Sequence, residues 1–199
     1  APKWLGTSVP HYKFCATMRQ YIPLGTPKVV FAYRLAYQGF FGNAPWYAMP
    51  VYTTMGPKPD YDGLGGYRTV RGIMLNRVQG LHTGFYNAEI RYRFVDFKLF
   101  NQNIAFAVSG FTDGTHVFKD YDMTMSAAKR AELALTAPKK LELYDTFVHP
   151  DKKDGFHGSA GAGLRFIMNE NFIVAFEYAR CFNKQDGDGA FYINIGFLF

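Results

Sequence analysis

Residues 189–199 read GAFYINIGFLF. Phe191, Ile193, Ile195, Phe197 and Phe199 alternate with Tyr192, Asn194, Gly196 and Leu198. A period of two is the mark of a strand, because successive side chains point to opposite faces. Here one face is wholly apolar, and the other mixes Tyr192, Asn194 and Gly196 with Leu198. That division sets the question for the rest of the chain: whether the apolar face meets a protein core or a lipid.

Working back from the terminus, the same period recurs. Phe172, Val174, Phe176 and Tyr178 oppose Ile173, Ala175, Glu177, Ala179 and Cys181. Ala160, Ala162, Leu164, Phe166 and Met168 oppose Ser159, Gly161, Gly163 and Arg165. Ile104, Phe106 and Val108 oppose Ala105, Ala107, Ser109 and Asp113. Tyr86, Ala88, Ile90, Tyr92 and Phe94 oppose Asn87, Glu89, Arg91 and Arg93. Val29, Phe31, Tyr33, Leu35 and Tyr37 oppose Ala32, Arg34, Ala36 and Gln38. Tyr12, Phe14, Ala16 and Met18 oppose Lys13, Cys15, Thr17, Arg19 and Tyr21.

This makes about seven strands, most near the roughly 9–11 residues a tilted membrane strand needs. Aromatic residues recur near their ends, as in an interfacial girdle. The connections at Pro23–Pro27, Asp96–Gln102, Asn169–Asn171 and Asn183–Gly189 are short, whereas 40–82 and 114–155 are long. Short turns at one rim and long loops at the other belong to an outer-membrane barrel. A soluble sandwich or lipocalin-like barrel would bury its apolar face, shorten its strands and even out its loops. The expected fold is therefore all-β, an antiparallel transmembrane β-barrel domain over residues 1–199.

Other classes find little support. No apolar run reaches the 18 or so residues of a membrane helix, and APKWLG at the start lacks the basic and apolar regions of a signal peptide. The net charge of +6 is dispersed rather than clustered, so no nucleic-acid partner is expected. Cys15 and Cys181 carry no disulfide framework spacing. His11, His82, His116, His149 and His157 are scattered without metal-ligand spacing. GSAGAG is followed by no helix, as a phosphate loop would require, and DGDG at 186–189 is too short for a calcium loop. No catalytic residue, metal or cofactor is expected. Within 125–144, MSAAKRAELALTAPKKLELY has helix propensity, with Pro138 expected to end the helix.

Set in order, several motifs carry a resemblance: GG-x3-VRG at Gly65–Gly72, N-x-E-x-R at Asn87–Arg91, F-x-D-G at Phe111–Gly114, GSAGAGLRF at Gly158–Phe166, FEYA at Phe176–Ala179, and FYINIGFLF at the end. The chain from about Tyr12 onward resembles the C-terminal half of the barrel in the BamA-type outer-membrane assembly and translocation superfamily, the bacterial surface antigen barrels. The resemblance implies the last strands of a sixteen-stranded barrel, with the V-R-G loop folded into the lumen and its tip arginine on acidic residues of the next two strands. Two details depart from the family pattern: Gly114 follows Asp113 directly, and Ile73 stands where an aromatic residue usually follows V-R-G.

The residues point the same way. Glu89 and Asp113 fall on the inward face of strands expected to be neighbours, and Arg71 can fork onto a carboxylate. Gly65, Gly66 and Gly72 let the loop turn tightly and approach the wall. The alternative is an ordinary turn with Arg71 in water. Phe191, Ile193, Ile195, Phe197 and Phe199 look like the C-terminal assembly signal of bacterial outer-membrane barrels; they also read as a plain lipid-facing strand.

Two functions from different classes follow. One is an insertase or translocator of polypeptide working through a seam that Gly196 would loosen. The other is a passive pore or structural barrel, with Lys13, Arg19, Arg34, Arg91, Arg93 and Arg165 favouring anions. The expected partners are outer-membrane lipid, the assembly machinery and a nascent polypeptide. Since open edges are costly in lipid, further strands from an N-terminal part or another chain are expected to pair with the Tyr12 and Phe191 strands. The expected location is the bacterial outer membrane.

Overall fold

The computed structural model describes residues 9–52, 63–148 and 153–199; His149 and the APKWLG segment lie outside them. Seven strands form one antiparallel sheet in sequence order. They are β1 (His11–Leu24), β2 (Thr26–Gly42), β3 (His82–Leu99), β4 (Gln102–Lys119), β5 (Phe156–Met168), β6 (Phe172–Cys181) and β7 (Ala190–Ile195). Along each strand buried and exposed positions alternate, so the period-two pattern is realised as two distinct faces. The outward face presents Tyr12, Phe14, Leu35, Ile90, Tyr92, Leu164, Phe176 and Tyr178. The inward face holds Arg34, Asn87, Glu89, Asp113, Ser159, Arg165 and Glu177, all buried.

At one rim the hairpins are tight. Gly25 alone joins β1 to β2 at φ 71°, and Phe100 and Asn101 both take positive φ between β3 and β4. Consecutive left-handed residues match the right-handed twist of the paired strands. Asn169 and Glu170 do the same between β5 and β6. By length, Asn183–Gly189 belongs with these short turns. Strand parity instead puts that connection at the opposite rim, with the two long loops.

The long connections also begin later than the residues suggested. β2 continues to Gly42 and β4 to Lys119, so the loops run over 43–81 and 120–155. The sequence puts Gly114 at the start of the second long loop. It lies within β4 instead, paired to Tyr86 on one side and Gly158 on the other. The Tyr86 and Phe156 rings occupy the space a side chain at Gly114 would need, and the alternation carries on through the buried Thr115 and Val117.

The core is not between two sheets. Tyr52, Leu64, Val70, Ile73 and Val78 of the first long loop pack on Ala36, Phe85, Val117 and Cys181 of the inward face. The loop therefore supplies the second layer. β1 and β7 are the sheet edges, and among the described residues they do not pair with each other. Cys15 and Cys181 are free thiols.

In the second long loop the helical stretch forms two helices, α1 (Ala127–Thr136) and α2 (Pro138–Phe147). Pro138 does end the first, since it cannot continue the hydrogen-bond ladder. It also opens the second, at the position where its fixed φ suits a helix start. Ser126 caps α1 by accepting from the Lys129 amide. Arg130 pairs with Asp145 across the two helices at 2.6 Å. Ser126→Ala should therefore cost α1 about 1 kcal/mol, seen as faster amide exchange at residues 127–130 with the strands unchanged.

Candidate functional site

The V-R-G loop reaches the inward face because its own backbone is folded back on itself. Leu64 bridges Val78 and Gly66 bridges Val70, and the Gly66 amide donates to the Ile73 carbonyl at 2.8 Å. Thr69 closes the turn from inside: its hydroxyl accepts from the Gly65 amide at 3.0 Å. Gly65 sits at φ 116°, and a Cβ there would lie 2.0 Å from the Met74 carbonyl oxygen. No other residue fits this crossing. Gly72, at φ 86°, lets the loop run against β6, where a Cβ would meet the Ala179 backbone at 3.1 Å.

That backbone delivers Arg71 to Asp113. The Arg71 Nε and Nη2 donate to the two oxygens of Asp113 at 2.8 and 3.0 Å, and the Arg71 amide donates to the same carboxylate at 3.0 Å. This is the bidentate fork that arginine geometry favours. Nη1 reaches Glu89 at 3.2 Å and Glu177 at 3.1 Å. The guanidinium lies 3.4 Å from the centre of the Phe111 ring, a cation–π contact in a buried site. Ser159 donates to the Arg71 carbonyl, and the Tyr192 hydroxyl accepts from the Gly72 amide at 2.8 Å.

Two further arginines complete the network. Arg165 contacts Glu177 at 2.5 Å and Glu89 at 2.7 Å, while Arg91 contacts Glu89 at 2.9 Å. Arg71, Arg91 and Arg165 thus face Glu89, Asp113 and Glu177, three charges of each sign. A neutral cluster is the form in which buried ions are tolerable, because each charge's lost hydration is replaced by a partner. Burial by itself would favour the neutral form of Arg71. Asp113, Glu177 and Glu89 outweigh it and hold the guanidinium above its ordinary range.

The structure brings Arg71 onto Asp113 and Glu89, and Gly65, Gly66 and Gly72 lie in the loop that carries Arg71. Phe111, Ser159 and Glu177 appear in the sequence only within the quoted motifs, with no role assigned to them at the site. The signal was present in GSAGAG. Gly161 and Gly163 point inward from β5, and side chains there would strike the Phe111 ring and Glu177. The small inward positions are the recess into which the ring, the carboxylate and the loop tip fit.

The terminal segment divides. Phe191, Ile193 and Ile195 are exposed on the outward face. Phe197 and Phe199 do not continue that face, contrary to the alternation in the sequence. At Gly196, φ 95°, the chain leaves the strand. The Phe197 ring then lies 4.4 Å from the Arg91 guanidinium. Phe199 is buried, with Arg34 and Arg91 at 5.1 and 5.2 Å from its ring centre and Tyr21 stacked beside it. The inward arginines offer aromatic rings a better surface than an unpaired strand edge does.

Among the described residues, no group of three or more His, Cys, Asp or Glu side chains is arranged to hold a metal ion.

The Omp85 superfamily domain profile matches residues 2–199. No curated protein and no solved structure gives a match. The match spans nearly the whole chain and accords with the antiparallel sheet, so the chain belongs to the Omp85 superfamily, a family of outer-membrane insertion and translocation proteins.

Proposed function

We propose that this chain is part of an outer-membrane barrel that inserts nascent barrel proteins or passes polypeptide across the bacterial outer membrane, using the β7 edge as a seam. The observation that carries this reading is the shortness of β7. Its ladder with β6 runs from Ala190 to Ile195, with one further bond from the Gly196 amide to the Ile173 carbonyl at 2.8 Å, and Gly196 then turns Phe197–Phe199 away. The Phe172 end of β6 is left without a β7 residue opposite it. A ladder that stops early opens at less cost than a full-length one, since fewer interstrand bonds must break.

The same edges define the partners. Unpaired backbone groups cost several kcal/mol each in lipid, so further strands of the barrel pair with β1 and β7. A barrel of sixteen strands in all is the family expectation. Lipid covers the outward aromatic face, and the assembly machinery and nascent polypeptide are the protein partners. The exposed Phe191, Ile193 and Ile195 are the part of the proposed assembly signal open to β-augmentation.

The passive-pore reading is the weaker one. The V-R-G loop packs over the inward face, and Arg71, Arg91 and Arg165 are neutralised by carboxylates rather than lining an open anion path. Gly196→Val separates the two readings. Valine disfavours φ 95° and favours continued strand. In proteoliposomes, assembly of an added barrel substrate should fall about tenfold or more, with folding of the variant itself intact. Unchanged assembly, or a change in ion conductance alone, would favour the pore.

A further inference from the structure

At the long-loop rim, His157 near the start of β5 is buried and held on both sides by carboxylates. Its Nδ1 lies 2.9 Å from each oxygen of Asp186, and its Nε2 lies 2.8 Å from Asp154. A neutral imidazole has one N–H and one lone pair. It can satisfy one carboxylate and must turn a lone pair toward the other. Only the protonated ring donates to both.

The two carboxylates belong to different connections. Asp154 ends the 120–155 loop. Asp186 is fully buried in the 182–189 connection, and its carbonyl accepts from the Met74 amide at 2.8 Å. The 43–81 loop arrives through Arg77, 3.5 Å from the Asp186 carboxylate and bonded to the Gln185 carbonyl at 3.2 Å. Of the other neighbours, Asp120 beyond β4 accepts weakly from the Asp154 amide at 3.4 Å. β4 itself places the uncharged Thr115 opposite His157. β6 ends on Cys181, whose thiol donates to the Gly187 carbonyl. His157 and Arg77 thus balance Asp154 and Asp186 only while the ring carries its proton.

We propose that protonated His157 is a pH-sensitive latch tying together the three connections of the long-loop rim. This goes beyond the functional reading above and stands whatever the substrate. The hydrogen bond from His157 holds the Asp154 carboxyl below the ordinary carboxylate range. The latch is complete at low pH and is lost as pH rises through the titration of the folded-state ring. The deprotonated ring releases either Asp154 or Asp186, and the connection carrying it with it.

The test uses the full chain in bilayers. Amide exchange at residues 74–78 and 182–189 is compared between wild type and His157→Gln at the same pH, which cancels the intrinsic pH dependence of exchange. At about pH 5 the variant should exchange about tenfold faster, the loss of one charged hydrogen bond; at about pH 9 the two should converge. An equal ratio at both pH values overturns the latch. Ring nitrogen shifts of the wild type decide independently of the variant's folding. Both nitrogens should carry protons at about pH 7, where an unperturbed imidazole of pKa about 6.5 is mostly neutral. A neutral ring there overturns the proposal.

Discussion

Replacing Arg71 with alanine should free the V-R-G loop from the inward face and destabilise the folded chain by about 3–5 kcal/mol, the usual range for removing one partner of a buried ion network. Arg71→Ala strips Asp113 of both of its side-chain donors and leaves three buried carboxylates facing two arginines. It also empties the face of the Phe111 ring. Arg71→Lys should recover only part of the loss, because a single ammonium cannot fork across both Asp113 oxygens while reaching Glu89 and Glu177. Arg68→Ala is the internal contrast. Arg68 is exposed and stands outside the Asp113, Glu89 and Glu177 cluster, so its replacement should cost much less than that of Arg71. Denaturant unfolding in micelles, together with amide exchange at residues 63–81, measures all three. An Arg71→Ala protein with wild-type stability and a protected loop would mean that packing of Val70 and Ile73, not the ion network, holds the loop.

The second large effect should come from Glu177, which bridges Arg71 and Arg165. Glu177→Gln keeps the shape and removes the charge. Three guanidinium groups, those of Arg71 and Arg165 buried and that of Arg91 partly so, then share two carboxylates, and Arg165 is left with Glu89 as its only carboxylate among the described residues. A loss of about 3 kcal/mol is expected. Charge balance makes the sharper prediction. Adding Arg165→Met to Glu177→Gln restores neutrality and removes the stranded cation, so the double variant should be more stable than the sum of the single losses by about 1–3 kcal/mol. Additive losses would show that the two residues act separately. Because neither residue lies in the loop, both variants should retain loop protection better than Arg71→Ala does.

These residues also show how far the chain could be read without its structure. The strands and their faces were legible almost residue by residue, because alternation is local: whether Glu89 and Arg91 share a face depends only on their being two apart. The V-R-G loop was legible as a site for a similar reason. Glu89 and Asp113 could be placed on one face of adjacent strands, and the glycines flagged a backbone no other residue could follow. The boundaries were less legible, since Gly114 looks like a stop until the rings of Tyr86 and Phe156 are seen to cover it. Glu177 belongs to β6, two strands from Asp113 in β4. Its meeting with Arg71 depends on the room left by Gly163 and on the depth the loop reaches, and neither is a property of any one strand. The ending of the chain went the same way. Alternation alone carries Phe197 and Phe199 outward with Phe191. Their inward turn depends on Arg34 and Arg91, which lie more than a hundred residues earlier and come within reach only when the sheet has folded. What the sequence determined by itself was the direction each side chain takes from its strand; which charges and rings then meet across the inward face was decided by tertiary structure, because those contacts depend on strand order, register and the empty space beside glycine.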